Sequence, residues 1–570
     1  MIRFHFAPSR STLTLCAAAA LAAILPAAPT LAAAPAPAAA AAAVDKAAAA
    51  KPPRLVVVMV IDGLPAEQVQ RYRDQFGPGG LRRLLEGGAS FVNAHQAHGV
   101  TVTAVGHSAV LSGAYPYRHG IIGNNWLDAQ GRTVYCTEDG RYRYIGQETG
   151  AHDGTSPANL RVDTLGDQLR YATGNRSKVI TVSGKDRGAI LLAGKTGTAY
   201  MYMDKTGDFA SSTYYMQQHP AWVQRFDAAK PQDRYYGKSW TALLPDAAYA
   251  DDAPFPEAST TNPNRFPFVF HSEAGKPDAD YYARLKTSPA VDELTLDFAE
   301  AAVENEALGS NPTGATDLLG VSLSGHDYVN HAYGPESRMS HDHLQQIDRR
   351  IARFFAFLDK RVGMDNVLVV LTADHGFANT AEFSQSRHID AARIDPKALV
   401  AGLDDALGKE FRVAHLVKPS MAPEIYLDYD AVERNKLGRA EVENAAARWL
   451  LAQPHVAQVY TRSQLEQGVG GTSRLATLVQ RGWNRQLSGD LHVVPSAYVS
   501  FGSGGSGATH GTPYEYDTQV PLLIMGKRWV RAGEVAQYTE VVDIAPTLAD
   551  ILHVRRPAAA EGRVLTEALR

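Results

Sequence analysis

Cysteine and long apolar runs are nearly absent from this sequence. Its 570 residues include two cysteines, Cys16 and Cys136, too few for a disulfide framework or a zinc site built on cysteine. Histidine and carboxylate side chains would therefore have to bind any metal. Positive charge is not in excess either, because 56 lysines and arginines face 60 aspartates and glutamates, a net charge of −4. We expect no nucleic acid as a specific partner, and any anionic substrate must be held locally.

The first 53 residues have the composition of a leader followed by a linker. Arg3 and Arg10 flank a short positive start, and an apolar run over 13–25 precedes small residues. This pattern predicts a cleaved secretory signal over 1–33, with a retained N-terminal anchor as the alternative. Residues 34–53, largely alanine and proline, are predicted to be a low-complexity tether. We expect an exported protein, periplasmic or secreted, with no membrane span in the mature chain, because no later run is long enough.

Continuous apolar runs alternate with helical patterns from residue 54 onward. Such runs predict strands buried on both faces, and the clearest helical pattern has an apolar face over 344–358 and ends at Gly363. We therefore predict an α/β fold with a mostly parallel central sheet sandwiched by helices. The predicted strands are 55–61, 179–182, 318–322, 367–371 and 522–525.

Two stretches interrupt this alternation, and we interpret them as insertions into one domain over 54–570. They cover about 205–312, rich in tyrosine and proline with little periodicity, and about 385–495, which has a small α/β pattern of its own. The first insertion is expected either to form a wall of the ligand-binding site described below or to pack on the core. His341 and His343, on the long predicted helix, are expected on its solvated side.

Potential metal ligands follow the predicted strands, at the sheet edge where open α/β sheets bind ligands. Singly each is weak evidence, because an aspartate after a strand is commonly a turn former or a helix cap. As a set of three aspartates and three histidines they have the composition of two mixed nitrogen and oxygen metal sites. The set consists of Asp62, Asp327, His331, Asp374, His375 and His510, the last in a glycine-rich loop.

A candidate nucleophilic hydroxyl lies between the first two of these ligands in the sequence. Thr101 and Thr103 precede an apolar stretch over 104–111 that is predicted to begin a helix. A hydroxyl there would lie at the positive end of the helix dipole, where an anion is favoured. Threonine becomes a nucleophile when a metal lowers its pKa, and the alternative is a threonine that only caps the helix. His107 is expected to be a buried hydrogen-bonding residue that supports the site.

Six short motifs occur in one order along the chain: Asp-Gly at 62, Thr-Ala-Val-Gly-His-Ser at 103, His-Gly-Ile-Ile-Gly-Asn-Asn-Trp at 119, Asp-Tyr-Val-Asn-His at 327, Ala-Asp-His-Gly at 373 and Thr-His-Gly at 509. In these motifs the chain resembles the alkaline phosphatase superfamily, in particular its threonine-nucleophile phosphatase branch, which is related to nucleotide pyrophosphatase/phosphodiesterases. The resemblance covers roughly 54–552 apart from the two insertions. It implies an alkaline phosphatase-like catalytic domain.

The same resemblance implies a catalytic machinery. Thr103 would be the nucleophile, and two Zn²⁺ ions would be the cofactors. One ion would make the threonine an alkoxide, and the other would stabilise the leaving oxygen and then activate the water that hydrolyses the phosphothreonine. The implied protein ligands are Asp62, Asp374 and His375 for the ion beside Thr103, and Asp327, His331 and His510 for the second.

Three further residues bear on the substrate. By the resemblance, the Asn124 amide donates to a phosphoryl oxygen, although a glycine-asparagine pair is also typical of a turn and Asn125 is its neighbour. Lys185 and Arg187 follow a predicted strand, and an ordinary basic loop is the alternative interpretation. The resemblance implies that both neutralise the extra charged oxygen of a monoester, which favours small-molecule phosphate monoesters as substrates.

The predicted function is thus an exported, metal-dependent alkaline phosphatase that acts on phosphate monoesters through a phosphothreonine intermediate. The main alternative is a phosphodiesterase or nucleotide pyrophosphatase with the same site, and the other is a non-catalytic metal- or phosphate-binding protein. A sulfatase would need a Cys-x-Pro-x-Arg setting, whereas Cys136 is followed by Thr-Glu-Asp. The oligomeric state and the physiological substrate are left open.

Overall fold

The computed structural model describes residues 51–252, 265–468, 472–502 and 507–570. The predicted signal over 1–33 and the tether up to residue 50 lie outside the described residues. The chain just after them is hydrogen-bonded to the domain: the carbonyl oxygen of Lys51 accepts from Trp529 Nε1 at 2.9 Å, and that of Pro53 accepts from Thr316 Oγ1 at 2.6 Å. Within the described ranges, no helix combines the length and the apolar content that a membrane span requires.

A nine-stranded sheet forms the centre of the fold. In chain order its strands are β1 Leu55–Ile61, β2 Ala89–Phe91, β3 Val179–Ser183, β4 Thr198–Tyr202, β5 Phe209–Ala210, β6 Asp317–Leu323, β7 Val367–Thr372, β8 Leu522–Met525 and β9 Gly533–Val535. Their spatial order is β9-β2-β8-β7-β1-β6-β3-β4-β5. Strand β8 pairs antiparallel with β7 and β2, β5 pairs antiparallel with β4, and the other pairs are parallel. The expected mostly parallel sheet is confirmed, because only β5 and β8 run opposite to the other seven strands.

The central strands β7, β1 and β6 are buried along their whole length. This burial agrees with their continuous apolar runs, which lack the polar alternation of a half-exposed strand. Because the three strands are parallel neighbours in matched register, their carboxyl ends lie at the same edge of the sheet. The residues that follow them are therefore brought together.

Helices flank this sheet, as expected. Those used below are α1 Thr103–Ser112, α2 Asp186–Ala193, α3 Pro289–Asn305, α4 Gly325–Tyr333, α5 Arg338–Arg361 and α6 Ile544–Leu552. Helix α5 contains the apolar face predicted over 344–358 and is followed by Gly363, whose φ of 80° is left-handed. The other helices are Ala66–Arg71, Leu81–Gly87, Pro116–His119, Leu165–Ala172, Ala221–Ala228, Ala279–Leu285, Ala381–Ser386, Pro396–Phe411, Tyr429–Arg434, Arg439–Leu451, Arg462–Glu466, Arg474–Gly482 and Glu515–Thr518.

Small sheets decorate the core. Four of them are two-stranded and pair Asn125–Leu127 with Thr133–Tyr135, Ser239–Trp240 with Phe268–Val269, Ala392–Ile394 with Val499–Phe501, and Ala94–His95 with Thr539–Glu540. A three-stranded sheet of Glu424–Ile425, Leu491–Pro495 and Val456–Thr461 belongs to the second predicted insertion. That region has a buried apolar cluster of its own, as its separate α/β pattern suggested.

The range 205–312 is more regular than its sequence indicated. It contains β5 at the edge of the central sheet and the 17-residue helix α3, which packs against α5 and β6. Every tyrosine of this range precedes residue 289, so the lack of periodicity belongs to its earlier part. The end of the range is therefore part of the core packing.

The expectation that His341 and His343 lie on a solvated helix face is wrong. Their exposed fractions are 1% and 0%. The Tyr72 ring stacks on His341 with centroids 3.6 Å apart, and Asp252 lies 2.9 Å from its Nδ1, while Trp240 contacts His343 edge-on. Two of these partners come from the first insertion, so a long-range contact that helical periodicity cannot reveal covers this end of α5.

Candidate active site

The carboxyl ends of the central strands bring three aspartates together. Asp62 directly follows β1, Asp374 follows β7, and Asp327 lies in the first turn of α4, just after β6. All three are buried, and so is Lys185, the residue before α2. Lys185 Nζ lies 2.8 Å from Asp62 Oδ2 and 2.5 Å from Asp327 Oδ2. One lysine thus links the carboxylates that follow two adjacent strands.

Three histidines lie around the same carboxylates. His375 Nε2 is 3.5 Å from Asp62 Oδ1 and 3.9 Å from Asp327 Oδ1. His510 Nε2 is 3.5 Å from Asp327 Oδ1, and its ring stacks on His375 with centroids 3.5 Å apart. His331 Nε2 is 3.4 Å from Asp327 Oδ1, and its side chain is 39% exposed. The structure therefore brings all six predicted ligands into one cluster.

Backbone carbonyl groups orient these three imidazoles. Each Nδ1 lies 2.8–2.9 Å from one carbonyl oxygen: that of Gly376 for His375, of Thr101 for His510 and of Ala508 for His331. A neutral ring that donates from Nδ1 presents the lone pair of Nε2 to the carboxylates. Burial lowers the pKa of His510 well below its ordinary value, which favours this neutral, metal-binding form.

Negative charge exceeds positive charge inside the cluster, where three carboxylates face Lys185. Burial and the neighbouring Asp374 raise the pKa of Asp62 well above its ordinary value, in spite of Lys185. For Asp327, burial raises the pKa but Lys185 and the histidines lower it further, so the net pKa lies below the ordinary value. Lys185 alone therefore does not offset the burial of Asp62 and its repulsion from Asp374.

Several ligand atoms in the cluster are buried without a hydrogen-bond partner among the described residues: Asp62 Oδ1, Asp327 Oδ1 and His375 Nε2. Ligand atoms of five of the six residues form two groups, each with its atoms within 4.8 Å of one another: Asp62, Asp374 and His375, and Asp327, His375 and His510. His331 contacts Asp327 but belongs to neither group. Carboxylate oxygens, imidazole nitrogens and missing positive charge together fit divalent metal ions. His375 belongs to both groups, which the sequence did not indicate.

Thr103 was predicted to precede a helix over 104–111; it is itself the first residue of α1 and is buried beside the cluster. Its Oγ1 lies 3.4 Å from Lys185 Nζ. Asn124 Oδ1 accepts a hydrogen bond from the backbone N–H of Ala104 at 2.9 Å, whereas Asn125 is exposed. Of the two adjacent asparagines, Asn124 is thus the one held against the start of α1.

Helix α1 lies directly against the end of β7. A Cβ atom at Gly106 would stand 2.0 Å from the carbonyl oxygen of Asp374, so this approach requires glycine. His107 Nδ1 lies 3.0 Å from Asp374 Oδ2 and 2.9 Å from the carbonyl oxygen of Thr103, and its Nε2 lies 2.9 Å from Ser322 Oγ. The prediction that His107 is a buried hydrogen-bonding residue is confirmed.

Lys185 and Arg187 line one cavity of about 600 Å³. Lys185 is the residue before α2, and Arg187 is the second residue of that helix. Burial lowers the pKa of Arg187, but Tyr135, whose hydroxyl oxygen lies 3.3 Å from Nη1, raises it, and the net pKa is above the ordinary value. Arg187 Nε has no hydrogen-bond partner among the described residues. The guanidinium is therefore charged and keeps a donor free.

Sequence reasoning missed Tyr328 and Lys286, which also line this cavity. Lys185 Nζ and Lys286 Nζ each lie 4.9 Å from the centroid of the Tyr328 ring. Tyr328 follows Asp327 in a motif that already pointed to the site, so its position was a usable signal. Lys286 comes from the first insertion, where nothing in the sequence distinguished it from a surface lysine.

The type I phosphodiesterase / nucleotide pyrophosphatase family model matches residues 56–515. The chain belongs to this family. The family lies in the alkaline phosphatase superfamily, so the resemblance inferred from the motifs is confirmed.

Curated relatives align along nearly the whole chain. Identity to alkaline phosphatase PhoV of Synechococcus elongatus is 36% over 527 residues, which covers 90% of this chain and 93% of PhoV. Identity to alkaline phosphatase PafA of Elizabethkingia meningoseptica is 33% over 525 residues, which covers 90% and 94%. A Myroides odoratus protein named calcium-transporting ATPase is 36% identical over 523 residues, which covers 90% and 94%.

Solved structures agree with this assignment. The crystal structure of wild-type PafA matches with a TM-score of 0.84 at 32% identity, covering 91% of this chain and 99% of that chain. Human ectonucleotide pyrophosphatase/phosphodiesterase 5 matches with a TM-score of 0.52 at 12% identity, which shows the shared fold alone. The predicted alkaline phosphatase-like α/β fold is confirmed.

Proposed function

We propose that this chain is an exported alkaline phosphatase, a phosphoric monoester hydrolase that forms a phosphothreonine intermediate on Thr103 at a two-zinc site. The observation that carries the proposal is the contact of Lys185 with Asp62, Asp327 and Thr103, which places a helix-terminal hydroxyl beside a buried cluster of metal-ligand side chains. Relatives named alkaline phosphatase support the reaction class.

The six ligand side chains divide between the two ions as the motifs imply. Asp62, Asp374 and His375 would hold the zinc beside Thr103, and Asp327, His331 and His510 would hold the second. Zinc in such a site lowers the pKa of a bound hydroxyl and stabilises charge that develops on oxygen. Histidine and carboxylate are ordinary zinc ligands, which agrees with the lack of cysteine.

Thr103 performs the covalent step. Its Oγ attacks phosphorus, the bond from phosphorus to the alcohol oxygen breaks, and the alcohol leaves with a proton. Water then attacks the phosphothreonine, which releases phosphate and restores the threonine hydroxyl. The start of α1 favours this chemistry, because its free N–H groups and helix dipole stabilise an anionic phosphoryl group.

Three side chains would bind the phosphoryl oxygens. Asn124 Oδ1 is engaged by the N–H of Ala104, so its Nδ2 is the end of the amide available to donate to substrate. Lys185 and Arg187 supply positive charge and further donors. A monoester carries one more charged oxygen than a diester, and this extra oxygen is what two cations would recognise. The pair therefore favours monoesterase over diesterase activity.

The decisive experiment compares two aryl phosphates. The purified mature chain, with zinc present, is assayed for kcat/KM on p-nitrophenyl phosphate and on bis-p-nitrophenyl phosphate. We expect the higher value for the monoester. A higher value for the diester would assign the protein to the phosphodiesterases of its family, and hydrolysis of neither would favour a binding protein.

A further inference from the structure

A second cavity borders the site on the side of Asn124 and His510. Its volume is about 270 Å³, and both residues line it. Lys185 and Arg187 line the other cavity, of about 600 Å³. The phosphoryl-binding cations and the His510 ligand therefore face different spaces. We call the smaller space the alcohol pocket.

The wall of the alcohol pocket is largely apolar. Residues from the core and from the second insertion both contribute to it. Its apolar members include Val102, Ile122, Trp126, Met421, Pro423, Val493 and Phe501. Such a wall favours a carbon-rich occupant, because removing apolar surface from water is favourable.

The polar side chains Glu424 and His492 of this wall are hydrogen-bonded within the protein. His492 Nδ1 lies 2.8 Å from Glu424 Oε1, and Glu424 Oε2 accepts from the N–H of Gly489 at 2.9 Å. Both oxygens of the carboxylate are thus engaged within the protein. Among the described residues that line it there is no lysine or arginine, so an anionic occupant would lose its hydration there without compensation from a cationic side chain.

From this we infer that the alcohol pocket binds the alcohol part of the monoester and selects uncharged, largely apolar alcohols, aryl and arylalkyl alcohols in particular. The inference rests on the proposed function, in which the alcohol oxygen departs on the side of His510 while Asn124 contacts the phosphoryl group. With these two groups at the border of one cavity, the carbon substituent of that oxygen enters the cavity. Met421 and Phe501 are then specificity-determining residues.

The test uses alkyl esters with similar leaving groups, so that reactivity does not decide the outcome. We compare kcat/KM for benzyl phosphate, ethyl phosphate and 2-phosphoglycolate, a carboxylate analogue of ethyl phosphate. The wild-type protein should prefer benzyl phosphate to ethyl phosphate by about tenfold or more. It should disfavour 2-phosphoglycolate relative to ethyl phosphate by a similar factor.

Variants locate the preference. Phe501→Ala and Met421→Ala should each reduce the benzyl-to-ethyl ratio several-fold, because the aromatic ring loses its contacts. Leu451→Ala is the matched control, since Leu451 belongs to the same insertion as Met421, is 49% exposed and does not line the pocket. It should leave the ratio unchanged. If Phe501 had only a structural role, its replacement would lower kcat/KM for both esters by the same factor, and the ratio would not change.

The outcomes separate this inference from the proposed function. Equal kcat/KM for benzyl and ethyl phosphate, or a preference for 2-phosphoglycolate, overturns the alcohol pocket while monoesterase activity stands. An unchanged ratio in both pocket variants also overturns it. Failure to hydrolyse any of the monoesters overturns the proposed function, and the inference falls with it.

Discussion

Asn330 donates a hydrogen bond from its side-chain Nδ2 to the carbonyl oxygen of Gly63 at 2.9 Å. Asn330 lies one turn after Asp327 in α4, and Gly63 directly follows Asp62 and donates its own N–H to Asp374 Oδ1 at 3.0 Å. One amide therefore ties the helix of one proposed zinc site to the turn of the other. A side chain that fixes this contact also fixes the spacing of the two ligand sets.

Replacement of Asn330 with alanine should weaken zinc binding at both proposed sites. Groups that orient metal ligands typically contribute 10- to 100-fold to metal affinity or activity, and we expect a loss of about this size in both. The measurement is the chelator concentration that removes half of the zinc, read together with kcat on p-nitrophenyl phosphate. Asn305→Ala, at the exposed end of α3, is the control and should behave as wild type. Wild-type zinc retention in Asn330→Ala would refute the positioning role.

Replacement of Thr103 with alanine tests the nucleophile. The variant should keep its fold and its zinc, because the six ligand side chains are intact, but should lose most of its turnover. Thr103→Ser should recover part of the activity, since it restores a hydroxyl at the start of α1. Rates on p-nitrophenyl phosphate, zinc content and circular dichroism provide the comparison. Near-wild-type turnover in the alanine variant would remove Thr103 from the mechanism.

Replacement of Arg187 with alanine should harm monoesters far more than diesters. A charged hydrogen bond is worth about 1.5 to 3 kcal/mol, so kcat/KM for p-nitrophenyl phosphate should fall by roughly 10- to 150-fold. The value for bis-p-nitrophenyl phosphate should change little. Lys205→Ala is the control at the rim of the same cavity, because Lys205 is exposed and paired with Glu148. Equal losses on both esters would mean that Arg187 only shapes the site.

Removal of metal should abolish activity, and added zinc should restore it. The three buried carboxylates face one contacting lysine, and without metal their burial and mutual repulsion raise the pKa of Asp62 and oppose folding. The thermal midpoint should therefore fall with chelator and recover with zinc, because a ligand that binds the folded state stabilises it. Activity that persists after prolonged chelation would contradict the two-zinc assignment.

The central part of this site could be predicted because its ligands follow buried parallel strands. The apolar runs before Asp62 and Asp374 are continuous, and the carboxyl ends of parallel strands share one sheet edge. Local sequence order thus determines which side chains meet there. The position of Thr103 could be predicted for a similar reason, because the apolar stretch that follows it marks the start of α1.

Contacts between residues far apart in the sequence could not be predicted in this way. The bond from Asn330 to Gly63 joins residues 267 positions apart, and the cover over His341 comes from Asp252 in an insertion. The alcohol pocket combines Trp126 with Phe501, which no periodicity connects. Such pairs depend on how elements pack, and a single sequence contains no signal for that packing.

Asp517 holds the loop that presents His510. Its Oδ2 accepts hydrogen bonds from the N–H of Gly511 at 3.1 Å, and from the N–H and hydroxyl of Thr512 at 2.8 and 2.6 Å. Its Oδ1 has no partner among the described residues. Burial raises the pKa of Asp517 to about 7 from an ordinary value of 3.8, although the bonds from Thr512 lower it.

This pKa predicts how stability depends on pH. Between pH 3.8 and 7 the folded state holds a proton that the unfolded chain has released, so the contribution of Asp517 is full below pH 3.8 and is lost as the pH rises to 7. Asp517→Asn abolishes this titration and keeps a side-chain oxygen acceptor. The free energy of unfolding of the variant relative to wild type should therefore rise by about 2.6 kcal/mol from pH 5 to pH 8. Thermal or urea unfolding of both proteins at the two pH values measures it, because titrating groups that they share cancel in the difference. A pH-independent difference would show that Asp517 is ionised in the folded protein across this range.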